Sequence, residues 1–528
     1  MNRRKFIGSL GIWSLGTATA DLLLDSATAS ERARVRDFDP AERSIAALQR
    51  AMASGTLTAA ALTASYVARI ARLDRAGPEL RSVLSLSPVA LRVARALDIE
   101  RRHGNVRGPL HGIPILIKDN IETRDPLPTT AGSKALLRSF HSTDAPLVAR
   151  LRAAGAIVLG KGNLSEWANF RSTHSTSGWS AVGGQTRNAY APDRSPSGSS
   201  AGSAVAAAAS FCAAAIGSET NGSILAPASL NGLVGLKPAP GLVSGEGIVP
   251  ISPRQDVAGP LARTVADAAL LATAIAERPL GYGRYGADPD GFRLQGLRIG
   301  ALPVPASAHP GIGRLYATAR QVFEREGATV VDLTPPAVLD ELEGAELESL
   351  LTEFKDAINR YLARLDPARV PTRHLGDLIA FNRREAAAEL ALFGQELFEL
   401  AEARGPLTNP AYLEALEKLR RGADTEGLAA LLAQQDVEVL LAPANGPAER
   451  IDSVWGDRSD GGGWPSIANA AAIAGYPSLT VPAGLVRDLP VGIVLVGARE
   501  QEGILLQVAA AFERAGNARI PPRFPMLA

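Results

Sequence analysis

"DAPLVARLRAAGAIVLGKGN", Asp144 to Asn163, changes periodicity halfway. Its first part carries apolar residues at helical spacing and stops at Gly155; its second, "AIVLGKGN", reads as a buried strand. The same alternation extends outward. Upstream, "PLHGIPILIKDNIET" gives a short apolar strand, Ile113 to Ile117, that runs into Lys118-Asp119-Asn120. Before it, Ser44 to Leu73 reads as two helices, the first stopped by Gly55 and the second capped by Thr56 or Thr58; "PVALRVARALDIERRHG" is a third, ended by Gly104. Downstream come an alanine-rich helix, Ala204 to Ala215, a buried strand "GLVGLKP" and another helix, "TVADAALLATAIA". Such αβ alternation predicts an α/β fold: a single large domain whose central sheet, mixed and mostly parallel, is covered by helices on both faces. From Pro336 to Gln435 Leu, Glu, Arg and Ala dominate, so a mostly helical section is expected there. "VEVLLAPA", "SLTVPAG" and "PVGIVLVG" then resume the strands, making that section an insertion in one domain.

Composition excludes several functions. The 55 Lys plus Arg nearly balance the 54 Asp plus Glu, so there is no electrostatic case for nucleic acid or an anionic membrane as partner. The one cysteine, Cys212, sits in the alanine-rich run and reads as a small buried residue. The six histidines are scattered without ligand spacing, so no metal site is expected. The N-terminus, "MNRRKFIGSLGIWSLGTATA", places Arg3-Arg4 before a short apolar region, the pattern of a twin-arginine export signal. Asp21 and Asp25 break that region, leaving it too short for a stable membrane span. Small-x-small sites end at Ala20 and Ala29; the expected division is a signal over 1–29 and the catalytic domain over 30–528, with a periplasmic or secreted location. The bland alternative is a frayed basic N-terminus.

Two motifs compete for the chemistry. "GAIVLGKGN" nearly matches a phosphate-binding loop, but Gly162 stands where Ser or Thr should hold Mg²⁺. "GSSAG", Gly198 to Gly202, fits the nucleophile elbow of an α/β-hydrolase and would nominate Ser200. The stretch before it, with Pro192 and Pro196, reads as a loop and not as the strand an elbow needs; His309 and His374 are the downstream histidines on offer. A third set is distributed. Lys118, at the end of an apolar strand, would be desolvated there, which disfavours its charged form and lets it accept a proton. Ser199-Ser200 stand at the mouth of a helix, and Thr220-Asn221-Gly222-Ser223 is a turn whose glycine lets backbone N–H groups converge on an oxyanion.

These elements, in this order, resemble the amidase signature family: Gly112 to Asn120, Gly198 to Ser203, and Gly217 to Ile224 with Gly235 to Pro238, the similarity extending over nearly the whole chain after the signal. The resemblance implies the amidase signature fold and a Ser-Ser-Lys triad that hydrolyses a carboxamide through an acyl-enzyme, without metal or cofactor. In it Ser223 is the nucleophile, Lys118 the base and Ser199, after a cis peptide bond, the relay. Backbone N–H groups of Thr220, Asn221, Gly222 and Ser223 form the oxyanion hole, and Ser200, Asp119 and Asn120 support the set. Where the family carries Asp and Gly, this chain has Glu219 and Asn221, a change that bears on specificity. "SETNGSI" with "PISPRQDVAGP" is closest to the peptide amidase branch, so the implied partner is a small-molecule or peptide amide. The rivals are an esterase using Ser200, a membrane-associated fatty-acid amide hydrolase, a catalytically dead binding protein and a glutaminase-type amidotransferase component. Trp167, Trp179 and Trp464 could line a pocket or pack in the core, and Glu353 and Lys355 could meet a substrate or face solvent.

Overall fold

The computed structural model describes residues 19–20, 23–24, 38–283, 292–457 and 466–524. Pro114–Lys118 is buried at every residue, as expected of an apolar run with neighbours on both edges and both faces. The strands in chain order are β1 (Val83–Leu86), β2 (Pro114–Lys118), β3 (Ile157–Gly162), β4 (Trp179–Ser180), β5 (Gly184–Gln185), β6 (Ala214–Glu219), β7 (Val234–Lys237), β8 (Val257–Ala262), β9 (Arg298–Ala301), β10 (Thr329–Asp332), β11 (Val439–Pro443), β12 (Ser478–Val486) and β13 (Leu489–Gly497). Eleven of them form one mixed sheet in the order β1-β3-β2-β6-β8-β7-β12-β13-β11-β9-β10, flanked by helices; β4 and β5 pair separately. The parallel ladders lie in two wings, β3–β2–β6 and β11–β9–β10. Between the wings, and at the β1 edge, pairing is antiparallel. Local chemistry sets the β12–β13 hairpin: Arg487 and Asp488 both take left-handed φ, the geometry of a two-residue turn that matches strand twist.

The expected N-terminal helices form over Ile45–Ala53 and Ala59–Leu73, and Thr58 caps the second by accepting from the Ala61 N–H. The alanine run departs from expectation. Its helix covers only Ala201–Ala208, Ser210 turns the chain with a left-handed φ, and Ala214–Ala215 open strand β6. Alanine favours helix intrinsically, but here pairing decides: Ala215 lies opposite Leu116 on one side and Leu261 on the other, in a fully buried layer. Cys212 is buried there too.

The helical section is observed, from the short turn Ala337–Glu341 through Glu343–Ala363 to Ala429–Gln434. It builds its own core around Phe354, Phe398 and Trp167, and leans on the far wing of the sheet through Leu419, Leu428 and Leu440. Of the segment read as an export signal, only Thr19-Ala20 and Leu23-Leu24 are described, with Ala20 and Leu23 buried; Arg3-Arg4 and the second cleavage motif at 27–29 lie outside the described residues. No helix among the described residues is long and apolar enough to cross a membrane.

Candidate active site

Strands β2 and β6 run side by side and parallel, so their C-terminal ends deliver Lys118 and Ser218 to the same edge. The loop leading into Ala201–Ala208 crosses that edge and brings Ser199 and Ser200. Lys118 is fully buried, and its Nζ lies 2.8 Å from Ser199 Oγ, 2.9 Å from Ser218 Oγ and 3.0 Å from the Ser218 carbonyl. Burial lowers the amine to about 7, against the opposing pull of the Asp256 and Glu219 carboxylates. Near neutrality a large share of it is therefore free base, able to take the Ser199 proton. The Gly198–Ser199 peptide bond is cis.

Ser223 ends the turn that follows β6. Ser200 N donates to the Ser223 carbonyl at 3.2 Å, which ties this turn to the Ser199 loop. The Ser223 hydroxyl makes no hydrogen bond among the described residues, and Ser223 is 8% exposed while Ser199 and Lys118 are sealed. Gly222 takes a left-handed φ of 78°, the conformation in which successive N–H groups turn toward one point. Among the described residues the N–H groups of Thr220, Asn221, Gly222 and Ser223 have no protein acceptor. Those of Ile224 and Leu225 are taken by Glu219 Oε2, at 2.6 and 3.0 Å. Glu219 thus braces the turn from below, and Asp256 braces it from the side by accepting from Thr220 Oγ1 at 2.5 Å and from the Ile251 and Ser252 N–H groups. Burial pushes the Asp256 carboxyl up to about 6.

The supporting residues divide. Asn120 Nδ2 donates to Ser218 Oγ at 2.9 Å, so it orients a partner of Lys118. Asp119 does not touch Lys118: successive strand residues face opposite ways, and its bonds go to Thr130 and, at 3.7 Å, to Lys161. Its support is structural. Lys161, the lysine of the near phosphate-loop, is buried in β3 and spends its protons on Ile121 O and Thr129 Oγ1, at 2.6 and 2.9 Å. Ser200 is fully buried, donating to Ser218 O at 3.0 Å and accepting from Ser218 N at 3.2 Å, so it braces the loop and has no free face for attack. His309 and His374 serve as helix N-caps. The esterase reading loses both its nucleophile and its base.

Trp167 and Trp179 pack edge-on against Phe398 and Phe393, in the core; Trp464 lies outside the described residues. Lys355 donates to the Glu402 and Arg404 carbonyls, and Glu353 accepts from Ser252, Arg254 and Tyr412. Four site residues escape the motif reading. Ser218 and Asp256 stand inside the quoted stretches, next to Glu219 and in "PRQDVAGP", where a buried hydroxyl or carboxylate beside the turn is a readable signal. Glu346 and Asn469, which hold the Asn221 side chain, come from helices with no local code.

A desolvated lysine joined to a serine, beside a turn with unspent N–H groups and an open serine, defines a nucleophilic hydrolase. Residues 61–506 match the Amidase family, and the chain belongs to it: it is an enzyme that hydrolyses amide C–N bonds. It is 49% identical to native peptide amidase from Stenotrophomonas maltophilia, whose X-ray structure it matches with a TM-score of 0.85 over 92% of this chain and 99% of that one. "Probable amidase At4g34880" of Arabidopsis thaliana is 37% identical over 95% of this chain and 96% of its own length. The amidase-like component of the glutamyl-tRNA(Gln) amidotransferase from Chloroflexus aurantiacus is 34% identical over 89% and 96%.

Proposed function

We propose that this enzyme hydrolyses the terminal carboxamide of peptide amides, releasing ammonia, with Ser223, Ser199 and Lys118 as its triad. The observation that carries the reading is the 2.8 Å contact between a fully buried lysine, lowered to about 7, and the Ser199 hydroxyl. As Ser223 Oγ forms its bond to the carbonyl carbon, its proton passes to Ser199, whose own proton passes to Lys118 Nζ. The oxyanion takes hydrogen bonds from the unspent N–H groups between Thr220 and Ser223; losing one such donor costs about 3 kcal/mol in comparable sites. The C–N bond breaks as a proton returns through Ser199 to nitrogen, and ammonia leaves. Water then repeats the path in reverse, freeing the acid. The peptide amidase likeness supports a peptidyl acyl group, and the twin-arginine pattern supports work outside the cytoplasm, in the periplasm or beyond.

The test is ammonia release from peptide amides, aryl amides, fatty amides and glutamine, run with wild type and Ser223→Ala. Preference for peptide amides, lost in the variant, is expected. Preference for glutamine would favour the amidotransferase-like reading that the Chloroflexus likeness keeps in play. Activity surviving Ser223→Ala would overturn the assignment of the nucleophile.

A further inference from the structure

The wall beside the Ser223 turn contains a carboxylate that the chemistry above does not use. Glu346 projects from the helix Glu343–Ala363, with 8% of its surface exposed. Its Oε1 accepts from Asn221 Nδ2 at 2.8 Å and from Gln255 Nε2 at 3.0 Å, so it stands one side chain away from a residue two positions before the nucleophile. Its Oε2 accepts nothing among the described residues, yet is absent from the atoms sealed away from solvent. The oxygen is therefore open on the side where Ser223 is open.

The neighbouring acids are already engaged. Asp256 is filled by Thr220, Ile251 and Ser252; Glu219 by Ile224 and Leu225, its other oxygen sealed; Glu353 by Ser252, Arg254 and Tyr412. Arg254, the nearby cation, spends itself on Glu353, Gln255, Ser349 and the Ile473 carbonyl, with no bond to Glu346. Glu346 is thus a nine-tenths buried acid with no cation, an arrangement that is costly unless something supplies a donor. Burial already raises its carboxyl above the ordinary range.

We infer that Glu346 Oε2 is a specificity-determining acceptor for the nitrogen on the carbon next to the scissile carboxamide, so the acyl groups preferred are α-amino acyl and peptidyl. The inference rests on the proposed Ser223 chemistry. A carboxylate here favours an α-ammonium or a peptide N–H and gives nothing to an acyl chain that lacks nitrogen at that position. The carboxamide's own NH₂ is common to all substrates and does not enter the comparison.

The test uses alaninamide, N-acetyl-alaninamide and propionamide, which share a three-carbon acyl skeleton and differ in the α-nitrogen. Wild type is expected to favour both nitrogen-bearing amides. In Glu346→Gln, which keeps Oε1 for Asn221 but presents N–H toward the substrate, the kcat/KM ratio of each to propionamide should fall about 10- to 100-fold. Glu346→Asp, which keeps the charge, should recover part of the ratio. A ratio unchanged in Glu346→Gln, with all three rates falling together, would overturn the inference and leave Glu346 as a prop for Asn221. So would a wild type that turns over propionamide as well as alaninamide, or that turns over neither nitrogen-bearing amide. Ser223→Ala run on the same panel separates the two levels: activity there overturns the triad whatever Glu346 does.

Discussion

The lysine amine is the site's most strongly perturbed group, and its consequence is measurable. Lowering Lys118 from 10.5 to about 7 raises the neutral fraction at pH 7 from about one in 3,000 to about one half, equivalent to about 5 kcal/mol of preference against the charged form. If Lys118 is the base, log kcat/KM for a neutral peptide amide climbs with slope one below about pH 7 and flattens above it. Lys118→Arg should then lose at least about a thousandfold, because a guanidinium stays protonated throughout. The assay is ammonia release from an N-acetylated peptide amide between pH 5 and 9, with no titratable group on the substrate. A flat profile over that range, or an arginine variant within tenfold of wild type, would refute the argument. Stability has the matching sign. The unfolded chain binds this proton first, so the contribution of Lys118 to stability falls as pH drops from 10.5 toward about 7 and is level below that.

Three more expectations follow from packing and sequence. A Cβ at Gly217 would lie 2.7 Å from Ser200 Oγ, so Gly217→Ala should cost about 1–3 kcal/mol in urea unfolding and lower kcat more than it raises KM, because the Ser200 shift is felt at Ser199. Arg171 is sealed in the helical core, 2.8 Å from Glu166 off the hydrogen-bonding direction, with Phe393 beneath its guanidinium; Arg171→Ala should cost about 3–5 kcal/mol by stranding Glu166, read as a lowered denaturation midpoint. Replacing Arg3 and Arg4 by lysine should hold the protein in the cytoplasmic fraction, and unaltered export would remove the twin-arginine assignment.

The triad is legible in the sequence because its residues sit at strand ends and turns, where glycines and a broken apolar run leave marks. Lys118 announces itself through the five apolar residues before it, and each of them is buried. The alanine run misleads because propensity is local while the pairing of Ala215 with Leu116 and Leu261 is not. Strand direction is equally hidden: αβ alternation accounts for the two parallel wings, but the antiparallel middle depends on which strands meet after long excursions. Asp119 falls to the wrong neighbour when read by position, because adjacency along a strand places side chains on opposite faces. Glu346 and Asn469 leave no trace, since a polar residue on a helix carries no sign of whether it faces water or a substrate.

Lys118, Ser199 and Ser223 all arise within the first half of the chain, on neighbouring strands, whereas Glu346 and Asn469 arrive from beyond residue 340. Reactivity and preference are thus written in separate stretches of the chain and meet only through the Asn221 side chain. Mutation can explore one stretch without trespassing on the other. A lineage with this plan can change its diet by rewriting helices while its oldest bond-breaking parts stay as they were inherited.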